Sequence, residues 1–248
     1  MSTDSPKNLA AECDVVLSCV TNDAAAEAVI LGEQGALAGA QADTVIVDMS
    51  TVSPQTSCHI YQAAKEKGIS MIDAAVSGST PQAEEGSLVI FVGGDQETYQ
   101  KCKPIFEVLG KANFYMGSSG MGTTMKLVVN TLLGLGLQAV AEAIVLGEKA
   151  GLERNLLLSV LGQTAVIAPA HKSKLENAQH NEYPVNFALP LMYKDFGLIL
   201  QQAAELSVPM PATAAAQQIC AIARAKGVEE DYSAVIRVME ELTQLSSR

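Results

Sequence analysis

The stretch "GSSGMGTTMKLVVN" (117–130) sets an ammonium, Lys126, and an amide, Asn130, four positions apart in an otherwise apolar run. On a helix, residues i and i+4 stand one above the other. A lysine so placed can protonate an oxygen that gains negative charge, and an amide one turn away can orient that oxygen. An ordinary lysine is an ammonium at neutral pH, the form an acid requires. Gly120 and Gly122 precede the pair, and without side chains they let other backbone or a ligand come close. A lysine near a helix start that simply points into water is the plainer reading, and the pattern alone leaves both open.

Three shorter segments carry polar groups where strands are expected to end, the place where parallel α/β sheets bind ligands. In "CVTND", Asn22 stands beside an expected helix start and serves either as its cap or as a ligand contact. In "VDMSTVSP", Ser53 already supplies a helix cap, so Ser50 and Thr51 are left to contact a ligand or to form a polar turn. In "DAAVSGS", Ser77, Gly78 and Ser79 expose backbone N–H groups that could hold a carboxylate, unless they form an ordinary glycine turn.

The elements that must position these groups follow from periodicity. β-rich runs at 13–20, 43–50, 70–76, 87–94 and 112–117 alternate with helix-forming segments, including 53–68 and 95–110. Ser53 and Pro54 open the helix over 53–68 and Gly68 closes it. Strands alternating with helices predict a largely parallel sheet with covered faces. After residue 117 the β-rich runs stop. One long helix is expected over about 119–150, followed by helices at "ERNLLLSVLG", "VNFALPLMYKDFGLILQQAAELS", "MPATAAAQQICAIARAKG" and "YSAVIRVMEELTQL". The expected division is therefore 1–118, α/β, and 119–248, all-helical.

Composition excludes several classes. With 248 residues the chain is long enough for a sizeable core, and a net charge of −11 argues against a nucleic-acid footprint. Five scattered cysteines without a CxxC and three dispersed histidines give no metal site and suit a reducing, cytoplasmic setting. The start of the chain has neither a basic nor an early apolar stretch, so no signal peptide is expected. The longest apolar run, around 127–147, is interrupted by Asn130, Gln138 and Glu142, so no membrane span is expected.

"DMST", "DAAVSGS", "GMGTTMKLVVN" and "YKDFGL" occur in the order and spacing of the β-hydroxyacid dehydrogenase family, which includes 3-hydroxyisobutyrate dehydrogenase. The likeness covers essentially the whole chain, and "VSGSTPQAEEGSLVIFVGGD" with "YSAVIRVME" resembles the glyoxylate/succinic semialdehyde reductase branch. The resemblance implies a Rossmann-type α/β domain joined by a long interdomain helix to an all-α domain. It implies an oxidoreductase using NADP or NAD on a small carboxylate-bearing aldehyde or hydroxy acid. Lys126 matches the catalytic lysine of a G-x-G-x-x-x-K-x-x-x-N motif, and Asn130 matches its substrate-holding asparagine. Ser77, Gly78 and Ser79 fall at the substrate-binding strand end. Thr51 matches a contact to the nicotinamide cofactor, with Asn22 and Ser50 assigned beside it. Lys194 matches a lysine reaching the cleft from the C-terminal domain, for substrate and cofactor alike, with Asp195 and Phe187 assigned to the cofactor.

The chain departs from the pattern twice. Ala75 stands where the family usually has proline, which removes a rigid φ but no chemistry. No strand followed by a G-x-G-x-x-G turn is found, and the pattern is entered at "DSPKNLAAECDVV", as though roughly the first forty residues of the fold were missing. The expected sheet is thus a partial Rossmann sheet lacking its first βαβ unit, with weakened cofactor affinity. The strand at 13–20 becomes an apolar edge through which two copies are expected to pair, or which is covered in some other way. Two functions follow: an NAD(P)H-dependent reductase of glyoxylate, succinic semialdehyde or a related 3-hydroxyacid dehydrogenase, or a non-catalytic truncated relative or fragment without a cofactor pyrophosphate site.

Overall fold

The computed structural model describes residues 2–244, in two compact units of which the first ends at Val129 and the second begins at Asn130. The first unit opens with α1 (Pro6–Ala10), β1 (Val15–Ser18) and α2 (Asp23–Leu31), then a 3₁₀ turn at Ala36–Ala38. It continues with β2 (Val45–Asp48), α3 (Pro54–Glu66), β3 (Ser70–Ser77), α4 (Thr80–Glu84), β4 (Leu88–Gly94), α5 (Gln96–Leu109) and β5 (Gly110–Gly117). The long helix α6 (Met121–Lys149) starts in this unit and continues into the second. The sequence reading begins the second domain at 119, whereas the units divide between Val129 and Asn130, inside α6.

The strands lie in the order β1-β2-β3-β4-β5. β1–β2, β2–β3 and β4–β5 are parallel, and β3–β4 is antiparallel, with Ala75 opposite Phe91 and Ser77 opposite Val89. The exception has a simple cause. A parallel return needs a crossover of a dozen or more residues, and α4 with its flanking turns is too short to supply one between Ser77 and Leu88.

Alternate residues of each strand serve opposite faces, as the pleat requires. Val16, Ile46 and Met71 pack with Ala26, Ile30, Ile60 and Ala64 of α2 and α3. Val47, Ile72, Ile90 and Val92 pack with Tyr99, Cys102 and Phe106 of α5. β1 is an edge strand of the described sheet, and Leu17 on it is 43% exposed. The apolar edge expected at 13–20 is therefore present.

The second unit is helical throughout its named elements: the body of α6, then α7 (Arg154–Gln163), α8 (Pro169–Gln179), α9 (Leu189–Glu205), α10 (Pro211–Ala225), a 3₁₀ turn at Tyr232–Ala234 and α11 (Val235–Leu242). Helices α9 and α10 begin at prolines in the first turn, where the missing N–H costs nothing, so α9 starts later than its apolar run suggests. Helix α8 is absent from the sequence reading, and Leu245 of the last expected helix lies outside the described residues. By length and composition α6 would suffice to cross a membrane, contrary to the expectation drawn from its polar interruptions. Its residues Leu137, Ala141 and Ile144 are fully buried, as in a core helix.

Candidate functional site

The chemistry-bearing segment begins where α6 meets the sheet, and a strand carboxylate makes that junction. Asp73, in the middle of β3, is buried, and its carboxylate accepts from the Gly120 N–H at 2.7 Å and the Thr123 N–H at 2.9 Å. These are donors that the first turn of a helix leaves without partners, so Asp73 caps α6 from outside it. The two glycines make this approach possible. Gly120 has φ +84°, and a Cβ on Gly122 would collide with the Phe91 carbonyl and crowd the Asp73 carboxylate. Gly122 thus packs on strand backbone and a carboxylate and Gly120 on Pro54 and Cys58 of α3, and this packing suffices to explain the glycines. Burial pushes the Asp73 carboxyl above its ordinary range, and the N–H bonds from Gly120 and Thr123 pull it partly back. Sequence reading assigned Asp73 no role; the available signal was an aspartate amid the apolar residues of an interior strand.

Lys126 follows within the next two turns and is only 9% exposed. It is therefore not the solvated lysine of the plainer reading. At the end of β3, Ser77 is half-buried and Gly78 has φ +134°. A Cβ on Gly78 would stand 2.7 Å from Leu88 Cδ2, so the turn needs glycine for both conformation and space. Ser79 is the N-cap of α4, and its N–H donates to the Gln82 side chain at 2.9 Å. That bond accounts for Ser79 locally.

The ends of β1 and β2 lie side by side. Ser50 Oγ donates to Asp48 Oδ1 at 2.6 Å and accepts from the Val20 N–H at 2.9 Å, fastening one strand end to the other. Thr51 is half-buried immediately beyond. Asn22 is the N-cap of α2, its side chain accepting from the Ala25 N–H at 2.9 Å. Asp23 places a carboxylate in the first turn of α2, where it accepts from the Ser53 N–H at 2.7 Å. A dinucleotide pyrophosphate needs open N–H groups and a positive field at such a helix start. With its end capped by Asn22 and an anion at Asp23, the start of α2 offers neither.

In the second unit the structure joins three of the expected residues. Asn130, wholly buried on α6, donates through Nδ2 to Asp195 Oδ2 on α9 at 2.5 Å, and Lys194 Nζ lies 2.9 Å from Asp195 Oδ1. Gly134, one turn beyond Asn130, sets the approach of the two helices, because a Cβ there would lie 2.7 Å from Phe196 Cε1. Phe187 is held by other residues of this unit. Its N–H donates to Asp231 at 3.0 Å and its ring meets Tyr232 edge-on at 5.7 Å.

Residues 1–117 match the family described as the NAD binding domain of 6-phosphogluconate dehydrogenase. Residues 120–239 match that described as NAD-binding of NADP-dependent 3-hydroxyisobutyrate dehydrogenase. The chain is 39% identical to 2-(hydroxymethyl)glutarate dehydrogenase of Eubacterium barkeri over 97% of its own length and 80% of the relative's. It is 35% identical to glyoxylate/succinic semialdehyde reductase 1 of Arabidopsis thaliana, over 96% of the chain and 82% of the relative. Among solved structures, 3-hydroxyisobutyrate dehydrogenase of Mycobacterium tuberculosis, determined with L-serine, superposes with a TM-score of 0.82 at 29% identity, covering 96% of this chain and 83% of that one.

Proposed function

From the premise that this chain belongs to the β-hydroxyacid dehydrogenase (3-hydroxyisobutyrate dehydrogenase) family, we propose that it reduces a small carboxylate-bearing aldehyde, glyoxylate or succinic semialdehyde, to the hydroxy acid, with Lys126 as general acid. A nicotinamide cofactor, NADP or NAD, supplies the hydride when bound. The chain's own part is the proton and the placement of the substrate. As the carbonyl carbon is reduced, its oxygen gains charge, and the Lys126 ammonium gives that oxygen its proton, leaving a neutral amine and an alcohol. Asn130 holds the oxygen-bearing end, and the Ser77–Gly78 turn receives the carboxylate through backbone donors. Lys194 adds a cation that favours an anionic substrate, and Ser50 and Thr51 serve the cofactor.

The observation that carries this reading is Asn130, a fully buried amide hydrogen-bonded to the carboxylate of the "YKD" segment, in a helix whose neighbours are apolar. Burying polar groups costs stability that an apolar pair would not. A structural helix has no need of them. No strand with a G-x-G-x-x-G turn is found in the sequence, and the start of α2, capped by Asn22 and carrying the Asp23 carboxylate, offers no substitute; this favours the second reading, a relative that does not turn over substrate.

Titration with NADPH and with NADH, followed by fluorescence with and without glyoxylate, separates the two. Micromolar binding of either cofactor supports the reductase, and no binding up to millimolar cofactor overturns it for this chain. If turnover is found, Lys126→Ala should lower it by about 10²–10⁴-fold.

A further inference from the structure

The pairing of Asn130 with Asp195 fixes which way the amide points. A carboxylate paired with an ammonium accepts hydrogen bonds, and Lys194 Nζ stands 2.9 Å from Asp195 Oδ1. The amide nitrogen of Asn130 must therefore face Asp195, because the opposite rotamer would press two acceptor oxygens together. That leaves Asn130 Oδ1 directed elsewhere, and this atom is buried with no hydrogen-bond partner. A buried acceptor without a donor is costly, and where it persists it marks a place for a group not yet bound.

Taking Asn130 as a substrate contact, as the proposed function does, we infer that Asp195 is a positioning residue that presents Asn130 Oδ1 as a hydrogen-bond acceptor for a hydroxyl on the substrate. The site is then built to recognise the alcohol, a small hydroxy acid whose O–H donates to Oδ1. An aldehyde oxygen can only accept, and gains nothing from this atom. The assignment moves Asp195 from the cofactor to the orientation of Asn130. It also changes the part of Asn130, whose sequence pattern suggested an amide donor to a carbonyl. The close approach of α6 and α9 at Gly134 makes the arrangement rigid, since Met192 Sδ and the Phe196 ring already fill the space a larger residue would need.

The test is calorimetric binding of 4-hydroxybutyrate and of butyrate, which differ only in the hydroxyl. The wild-type chain is expected to prefer 4-hydroxybutyrate by about tenfold, the worth of one hydrogen bond. In Asp195→Asn the amide of Asn130 loses its fixed orientation, and the preference should fall towards one, a ratio in which any change at the shared carboxylate cancels. In the exchanged double variant Asn130→Asp/Asp195→Asn, a carboxylate at 130 accepts from an amide at 195 and keeps a second oxygen as acceptor. The preference should return there, which a merely structural role would not predict. The exchanged variant decides the matter even if Asp195→Asn does not fold. Equal binding of the two acids by the wild type, an undiminished preference in Asp195→Asn, or no recovery in the exchanged variant would overturn the inference while leaving a small-acid site. If neither acid binds the wild type, the reading of Asn130 as a substrate contact fails, and the inference fails with it.

Discussion

Asp73 in the first unit and Asp231 in the second are both buried at a junction, and the two are satisfied in opposite ways. Asp73 in the first unit is met by the backbone N–H groups of Gly120 and Thr123 at the start of α6. Asp231 in the second is met by the Lys174 ammonium at 2.8 Å, by the N–H groups of Asn186 and Phe187, and by Ser233. Burial pushes both carboxyls upward. For Asp73 burial prevails, and its carboxyl stays above the ordinary range. For Asp231 the bonds from Lys174 and Ser233 more than offset burial and hold the carboxyl below it. Partial charges at a helix end tolerate a buried anion, whereas a full cation beside it makes the anion the favoured state.

Removing the cation tests the stronger case. Lys174 and Asp231 are both buried, so Lys174→Met leaves a carboxylate inside the second unit without its counter-charge. The expected loss is about 3–5 kcal/mol in chemical denaturation. The pH dependence should also invert. With its carboxyl depressed, Asp231 contributes stability that is present above the ordinary carboxylate pKa, about 3.9, and is lost as pH falls through the lower folded value. Without Lys174 the fold prefers the protonated acid, and the variant should become more stable as pH falls towards that range. A variant with the wild-type acid slope would show that Lys174 does not set the state of Asp231.

Asp73 gives the smaller effect with the opposite sign. Asp73→Asn keeps the size but has one acceptor oxygen where two are used, so either the Gly120 or the Thr123 N–H loses its partner. The expected cost is about 1–3 kcal/mol. Because the folded carboxyl is raised, its contribution is fully present below the unfolded pKa and is lost as pH rises through the folded one. The gap between wild type and variant should therefore be widest at acid pH and narrow as pH rises. A gap that widens with pH would mean the anion is the preferred partner of α6.

The same contrast shows which parts of the fold are legible in the sequence. Strands β2 and β4 stand out because interior strands are near-continuous β-branched and apolar runs, and α6 stands out by length. Strand direction is not written in such runs. That β3 and β4 are antiparallel could have been inferred only from the short stretch between Ser77 and Leu88. Helix α8 escapes notice because its buried stripe is His171, Lys174, Leu175 and Ala178, half of it polar, and Lys174 is inside only because Asp231 is there to meet it. At the candidate site, Lys126 and Asn130 are visible as residue types out of place in an apolar helix. Asp195 is visible only as part of a familiar segment, and its bond to Asn130 joins positions 65 residues apart that no local pattern connects.

The smallest effect separates a cap from a contact at Asn22. The side chain accepts from the Ala25 N–H and is exposed, so its replacement costs the cap and little else. Asn22→Ala should destabilise the first unit by about 1 kcal/mol, and Asn22→Ser, which caps equally well, should recover most of that loss. If Asn22 also serves a cofactor, the two substitutions should weaken nucleotide binding alike even though only one weakens the fold. If it is a cap alone, binding should follow stability, reduced in Asn22→Ala and near the wild-type level in Asn22→Ser. Measuring both properties on both variants distinguishes the roles, because hydrogen bonding to Ala25 depends on a short side-chain oxygen at position 22, whereas a contact beyond the helix depends on the reach and donor of the amide.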